Sequence, residues 1–519
     1  MITRATARQL ALAAAPLAFV LAWAVWPLAR LVLEGADSVR AGGWALWWAP
    51  WLDAYWRARL LWSLAQAAIT AAAAVVVGVP IAWVLSRFAF AGRSLLVRAL
   101  MLPFVVPTLV AALGVLALWG PQGLVPLPGH DSPLLLLVGN LFFNACLVVR
   151  GAMGGLAQVS ASRLAAARSL GATPWRAFWR LEWPAARANV AASACLVFLY
   201  CLSGFGLALI LGGQRWATVE VEIYTLVAYE LALGQASVLA LWMLLMAALV
   251  VLLYAGLATR RGELLRGDAI ALRPVSSLPA ALAVLGAVVL LVVFNFGPVL
   301  ALVWRALTAS PAAWAHAWGD DAWLALGNSL RFTAMGLVLA AVLGVLQGLA
   351  APRSWAWRAW GMVPLLVSPV MVAFGLLLLW PQQLDQLWVL VSAYALLALP
   401  LVSAPVAQAL QALPASWLAA ARSLGASPWR VAWRVTLPLL RGALRRGLAF
   451  AAATMLGEFA VTLLLSRPEW LTLSTYTYQL LGRPGQLNLE AAWIMAATLM
   501  GVALLAFAVL DRPEGVRRA

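Results

Sequence analysis

Long apolar stretches separated by short polar ones run the whole length of the chain, at 10–33, 60–86, 95–119, 133–157, 189–212, 235–257, 278–304, 325–350, 356–380, 387–411, 443–466 and 488–510. Each approaches or exceeds the roughly 20 residues a helix needs to cross a hydrocarbon layer. The pattern therefore predicts an all-α, polytopic membrane protein of about twelve transmembrane helices. Arg4 and Arg8 precede the first stretch in the manner of a signal peptide. Its apolar part is longer than a usual signal core and no clear A-x-A site follows, so it is read as a retained helix.

Composition closes off the soluble alternative. With 65% hydrophobic residues, 10% charged and a mean hydropathy of +0.94, the chain has too little polar surface to enclose a water-soluble core. The net charge of +17 would suggest nucleic acid in a soluble protein. Here its distribution points elsewhere: all 35 basic residues are Arg, and with twelve spans and an inner N-terminus most of them, Arg4, Arg163, Arg168, Arg260 and Arg446 included, fall on the inner side. Most acids fall on the outer side. This positive-inside sorting places both termini in the cytoplasm, with anionic lipid headgroups rather than nucleic acid as partners of the arginines.

Several chemistries are excluded. Without Lys the chain has no P-loop of its own. His130 and His316 fall in outer loops of different halves, and Cys146, Cys195 and Cys201 lie in or beside apolar spans. No metal-ligand spacing, nucleophile elbow or catalytic triad appears, so neither a cofactor nor an enzymatic activity is expected. Free Cys in such places acts as a small core hydrophobe.

The second half repeats the first. Ser63, Leu64, Gly78 and Arg87 recur as Ser329, Leu330, Gly344 and Arg353, and Arg98, Pro103 and Gly114 as Arg358, Pro364 and Gly375. From Leu164 to Tyr224 the offset settles at 254, pairing Gly171 with Gly425, Pro184 with Pro438, Thr218 with Thr472 and Tyr224 with Tyr478. A polar seam, TRRGELLRGDAIALRPVSS, separates two parallel six-span repeats, which divides the chain into domains 1–262 and 263–519.

Within the repeat, LAAARSLGATPWR at 164–176 returns as LAAARSLGASPWR at 418–430, changing only Thr173 to Ser427. The Ala- and Leu-rich start is helical, Gly171 and Gly425 stand where a left-handed C-cap is wanted, and Thr173-Pro174 or Ser427-Pro428 starts a new helix. Helix, tight turn, helix is the prediction, on the cytoplasmic side between the fourth and fifth spans of each half. Ala165, Ala166, Ala167 and their copies Ala419, Ala420, Ala421 lack bulk, so another surface can approach closely. A lone copy would suit a helix lying on the bilayer with Trp175 and Trp179 among headgroups. Two copies in one register point to a partner that reads both.

This peptide resembles the EAA loop of bacterial ABC importer permeases. Ala166-Ala167, Gly171, Leu181 and Trp183-Pro184 fill that pattern, as do Ala420-Ala421, Gly425, Val435 and Leu437-Pro438. Both copies depart from it where the motif's Glu is Ala165 or Ala419. The resemblance implies a type I importer fold in the bacterial inner membrane, with each loop forming a coupling helix on a cytoplasmic ATPase homodimer and a periplasmic solute-binding protein on the other face. The fused arrangement is similar to thiamine and ferric-iron permeases. LGGQRWATVEVEIYTLVAYE, LTLSTYTYQLLGRPG and LFFNACLVVRG look more like the thiamine group, which implies thiamine and its phosphates as solutes. A major-facilitator secondary transporter also has two parallel halves of six spans, but carries its marked loop elsewhere.

Two further sets complete the candidates. Thr218, Tyr224, Thr472 and Tyr478, with Glu220, Glu222 and Glu230 nearby, read as a docking or gate region for the binding protein, or as interfacial Tyr anchors. Glu458, the one acid placed within a span, costs about 2.5–3.5 kcal/mol there and is expected to face protein or a watery path. Gly204 is its counterpart. Beside the pathway, Glu458 would offset the lost hydration of a cation and Gly204 would leave room for its ring. Otherwise Glu458 makes a structural contact.

Overall fold

The computed structural model describes residues 4–127, 133–259, 270–350, 355–365, 367–465 and 467–511. His130, Arg260, Arg353 and much of the polar seam lie outside the described residues. Among those described the protein is helical throughout, apart from one two-residue parallel pairing of β1 (Phe88–Ala89) with β2 (Arg273–Pro274).

The first half runs through α1 (Leu12–Gly42), α2 (Trp44–Leu52), α3 (Ala54–Arg87), α4 (Arg93–Val105), α5 (Thr108–Trp119), α6 (Leu134–Leu156), α7 (Ala161–Ser169), α8 (Pro174–Leu202), α9 (Gly206–Leu211), α10 (Val219–Ala228) and α11 (Leu233–Thr259). The second runs through α12 (Leu278–Leu307), α13 (Pro311–Ala317), α14 (Asp320–Ala350), α15 (Trp355–Met362), α16 (Pro369–Leu379), α17 (Leu387–Ala412), α18 (Ala415–Ser423), α19 (Pro428–Val431), α20 (Leu437–Leu456), α21 (Ala460–Leu465), α22 (Leu473–Gly482) and α23 (Gln486–Leu510).

All twelve apolar segments are present as helix, but four of them are broken. Among the described residues, nine helices are long and apolar enough to cross a membrane, and α4 with α5 forms a tenth path bent by 109°. The break falls at Val106-Pro107, because a residue before Pro is driven out of the helical region and Pro107 brings no N–H. The segment at 189–212 ends as a span at Leu202 and resumes as α9 beyond Ser203-Gly204-Phe205. That at 443–466 stops at Leu456 and resumes as α21 beyond Gly457. The segment at 356–380 is divided between α15 and α16. Hydrophobic run length registers none of these bends.

The halves are interleaved rather than side by side. Span α1 packs against α14 and α16 of the second half, and α12 against α5 of the first. Both crossings use one device: a Cβ on Gly114 would come within 2.8 Å of Pro298 O, and one on Gly375 within 2.8 Å of Pro27 O. The repeat also conserves its buried bonds. Ser63 Oγ accepts from Val219 N at 2.9 Å and Ser329 Oγ from Leu473 N at 2.9 Å.

Candidate functional site

The duplicated peptide forms the same turn twice. Leu170 closes α7, Gly171 follows at φ +79°, and the Gly171 and Ala172 amides donate to the carbonyls of Arg168 (2.9 Å) and Ala167 (3.0 Å). In the copy Gly425 has φ +77° and the Gly425 and Ala426 amides donate to Arg422 (3.0 Å) and Ala421 (3.1 Å). This is a Schellman termination, and it needs a residue at ease with positive φ. Thr173 and Ser427 then cap the next helix, each accepting a backbone N–H at 3.3 Å from Arg176 or Arg430.

Neither turn is covered by the described residues. Ala165, Ala166, Ala419 and Ala420 are exposed, with Ala167 and Ala421 half-buried; Pro184 is exposed and Pro438 half-buried. The side chains at the tips are apolar: Leu170 is 88% and Leu424 87% exposed, with Trp175 and Trp429 close behind at 70% and 71%. Leucines so placed at one register of both repeats form an exposed apolar surface. They stand inside the quoted motif, where attention to its small residues passed over them.

Below the first turn, Glu182 is buried and accepts from Arg87 Nε (2.7 Å) and Trp83 Nε1 (2.8 Å). The pair ties the start of α8 to the end of α3. At the matching place in the second repeat stands Thr436, which carries no charge. The run that follows the first turn, Trp175 to Pro184, is no separate surface helix. In the first half it is the beginning of the span itself, Pro174–Leu202.

At 1.5 Å per residue, α8 carries the chain about 40 Å from that turn to Leu202. There the two halves enclose a cavity of about 310 Å³. Its wall includes both broken spans, so Gly204 and Glu458 face one space, together with Pro107, Thr108, Ser368 and Pro369 at the breaks of α4–α5 and α15–α16. Glu458 sits at the helix break and not within a continuous span, as the apolar run suggested. Its Oε1 accepts from Val461 N (2.9 Å) and so caps α21.

Two stacked rings cross the end of this cavity. Phe205 from the first half and Phe459 from the second lie 5.9 Å apart between centroids. Behind them Tyr224 meets Phe205 edge-on at 5.2 Å, and Tyr478 meets Phe459 at 5.2 Å. The four form a row with the repeat's own offset, so matching the repeat over Phe205 and Phe459 would have found it in the sequence. Thr218 and Thr472 are buried where α10 and α22 begin, and Tyr224 is buried too, so in this conformation none of the three presents an outer surface. Glu220 accepts from Ser368 Oγ across the half–half boundary (2.8 Å), and Glu222 pairs with Arg59 (2.8 Å) and Tyr55 (2.8 Å). Glu230 alone of these acids is exposed. His316 is engaged by Asn488 Oδ1 at 2.9 Å.

Two repeats that share an exposed turn and close on a common cavity define a transport permease. The chain belongs to the family described as binding-protein-dependent transport system inner membrane component, whose model matches residues 64–263 and 354–512. It is a multi-pass permease of an ABC importer with two fused repeats, which sets aside the secondary-transporter alternative. It is similar along most of its length to the thiamine transport system permease protein ThiP of Escherichia coli, 28% identical over 509 residues that cover 91% of this chain and 93% of that one. ThiP of Haemophilus influenzae is 26% identical over 86% of this chain and 87% of its own. The sulfate transport system permease protein CysT of Escherichia coli is 29% identical across 39% of this chain.

Proposed function

We propose that this permease imports thiamine and its phosphates, driven by a separate cytoplasmic ATPase homodimer and fed by a periplasmic thiamine-binding protein. The observation that carries the coupling is the exposed Schellman turn, present twice in one register with Leu170 and Leu424 at its tips. Residues 164–171 and 418–425 serve as coupling helices, with Ala165 to Ala167, Ala419 to Ala421, Gly171, Gly425, Pro184 and Pro438 as the docking motif. Closure of the ATPase draws them together, and the helices rooted there rotate the cavity outward; hydrolysis resets it. Domains 1–262 and 263–519 act as the two arms, and both termini lie in the cytoplasm. Catalysis of ATP hydrolysis belongs to the partner.

Likeness to relatives and the chemistry of the cavity both support this solute. Relatives matched over nearly the whole chain are thiamine permeases. The cavity's size lies at the small end of organic-ligand pockets. It offers one carboxylate, Glu458, among largely apolar and amide neighbours. A hard ferric ion seeks several oxygen ligands, whereas an organic cation needs one counter-charge. Uptake of radiolabelled thiamine that stops when the ATPase is inactivated and survives collapse of the proton gradient is the expected result. A binding protein loaded with ferric ion would overturn it.

Glu458→Gln retains the acceptor for Val461 N and loses only the charge. Thiamine uptake is expected to fall about tenfold or more with insertion and ATPase association intact, the scale of a hydrogen-bonded charge. Wild-type affinity and rate would show that Glu458 is a helix cap alone.

Phe205, Phe459, Tyr224 and Tyr478 serve as the outer gate beneath the docked binding protein. Each ring contact is worth about 0.5–1.5 kcal/mol, enough together to hold the pathway shut at rest. The double replacement Phe205→Ala with Phe459→Ala is expected to raise ATP hydrolysis several-fold without binding protein. Hydrolysis that still requires the loaded binding protein would exclude the gate.

A further inference from the structure

The two walls of the central cavity are chemically different although the repeat makes them equivalent. On the first-half wall Phe104 lies 5.2 Å from Phe143 and 6.0 Å from Tyr200, ring to ring. At the places matching Phe143 and Tyr200 the second half has Leu397 and Thr454. Charge is distributed the other way, with Glu458 on the second-half wall facing Gly204 on the first.

Asn144 adds a direction. It lines the cavity at 2% exposure. Its Nδ2 donates to Asn140 O at 3.0 Å, while Asn140 Nδ2 donates to Gln66 Oε1 (2.8 Å) and Gln66 Nε2 to Cys201 O (2.8 Å). The donations of Asn144 Nδ2 to the backbone carbonyl of Asn140 and to Cys201 Sγ (3.5 Å) fix the Asn144 amide so that Oδ1 is the remaining acceptor. Asn144 Oδ1 is buried and has no hydrogen-bond partner. Buried acceptors are nearly always satisfied, because leaving one unpaired forfeits its hydration. The matching position in the second half is Ala398, so the acceptor exists once.

We infer that the cavity holds its solute in one orientation: an amino-bearing aromatic ring rests against Phe104, Phe143 and Tyr200 and donates to Asn144 Oδ1, while the cationic centre faces Glu458. Asn144 is then a specificity-determining residue that selects a ring carrying a donor. This rests on the proposed thiamine pathway and adds to it the contact that reads the ring. A site built to hydrogen-bond a donor discriminates strongly against an analogue lacking it.

The test uses the full chain assembled with its ATPase in lipid nanodiscs. It measures equilibrium binding of radiolabelled thiamine and of oxythiamine, in which oxygen replaces the ring amino group. The wild-type complex is expected to favour thiamine about tenfold, and Asn144→Ala to bring thiamine down to the oxythiamine level. An unchanged preference in the variant overturns the inference, as does a wild-type complex that transports thiamine yet binds none directly. Should Asn144→Ala fail to assemble, Phe104→Leu leaves the amide chain untouched and is expected to weaken both compounds about tenfold; unaltered binding overturns the aromatic wall. A wild-type complex that, with its binding protein, imports no thiamine at all fails the proposed function instead.

Discussion

Simultaneous replacement of Gly171 and Gly425 by Asp is expected to abolish uptake while the chain still inserts, with the ATPase lost on purification. The backbone cost is modest. Both glycines lie in the left-handed region, φ +79° and +77°, where an ordinary L-residue pays about 1–2 kcal/mol and Asp somewhat less. A carboxylate at the negative end of a helix adds about 0.3–1 kcal/mol. No atom lies within 4 Å of where either Cβ would go, so nothing inside the protein is displaced. The loss therefore falls on whatever surface meets Leu170 and Leu424, which would face a charge and a distorted turn. Measured uptake equal to wild type would sink the coupling proposal; loss of insertion would assign the glycines to folding.

The other large effect is expected at the crossing of the halves. Gly375→Leu, and separately Gly114→Leu, should lower the melting temperature of the purified protein and eliminate uptake. Each new side chain meets a backbone carbonyl, of Pro27 or Pro298, at a distance real Cβ atoms do not occupy. A flexible side chain can rotate away, but a carbonyl in a packed helix moves only with the helix. Overpacking of this kind costs about 1–3 kcal/mol or more. Gly501, with no atom within 4 Å of a built Cβ, supplies the control, and Gly501→Leu should leave both readouts unchanged. Equal melting of all three variants would mean that the crossings are loosely packed.

Much of this was legible in the sequence because it depends on local chemistry. The turn at Gly171 follows from a Gly after an Ala-rich helix and a Thr-Pro start, and the copy at Gly425 needs no other information. Paired glycines 114 and 375 were visible as repeats, yet what they touch was not, since Pro298 and Pro27 belong to the opposite half. Breaks at Pro107 and Gly457 escaped a reading based on apolar run length, which is indifferent to bending. Tyr224 and Tyr478 matched the pattern of interfacial anchors; only the packing onto Phe205 and Phe459 gives them a different setting. Asn144 was in plain sight inside LFFNACLVVRG, but an amide in an apolar helix acquires meaning only when its partners, and the one atom without a partner, are known.

The ion pair beneath the first turn makes the molecule mechanically lopsided. The buried pair of Glu182 with Arg87 joins the residues below the loop around Gly171 to α3, in the manner of a strut. Thr436 stands where Glu182 stands in the first repeat, so the loop around Gly425 lacks the carboxylate half of that strut. A symmetric motor working on this chain would therefore meet one stiff handle and one compliant one.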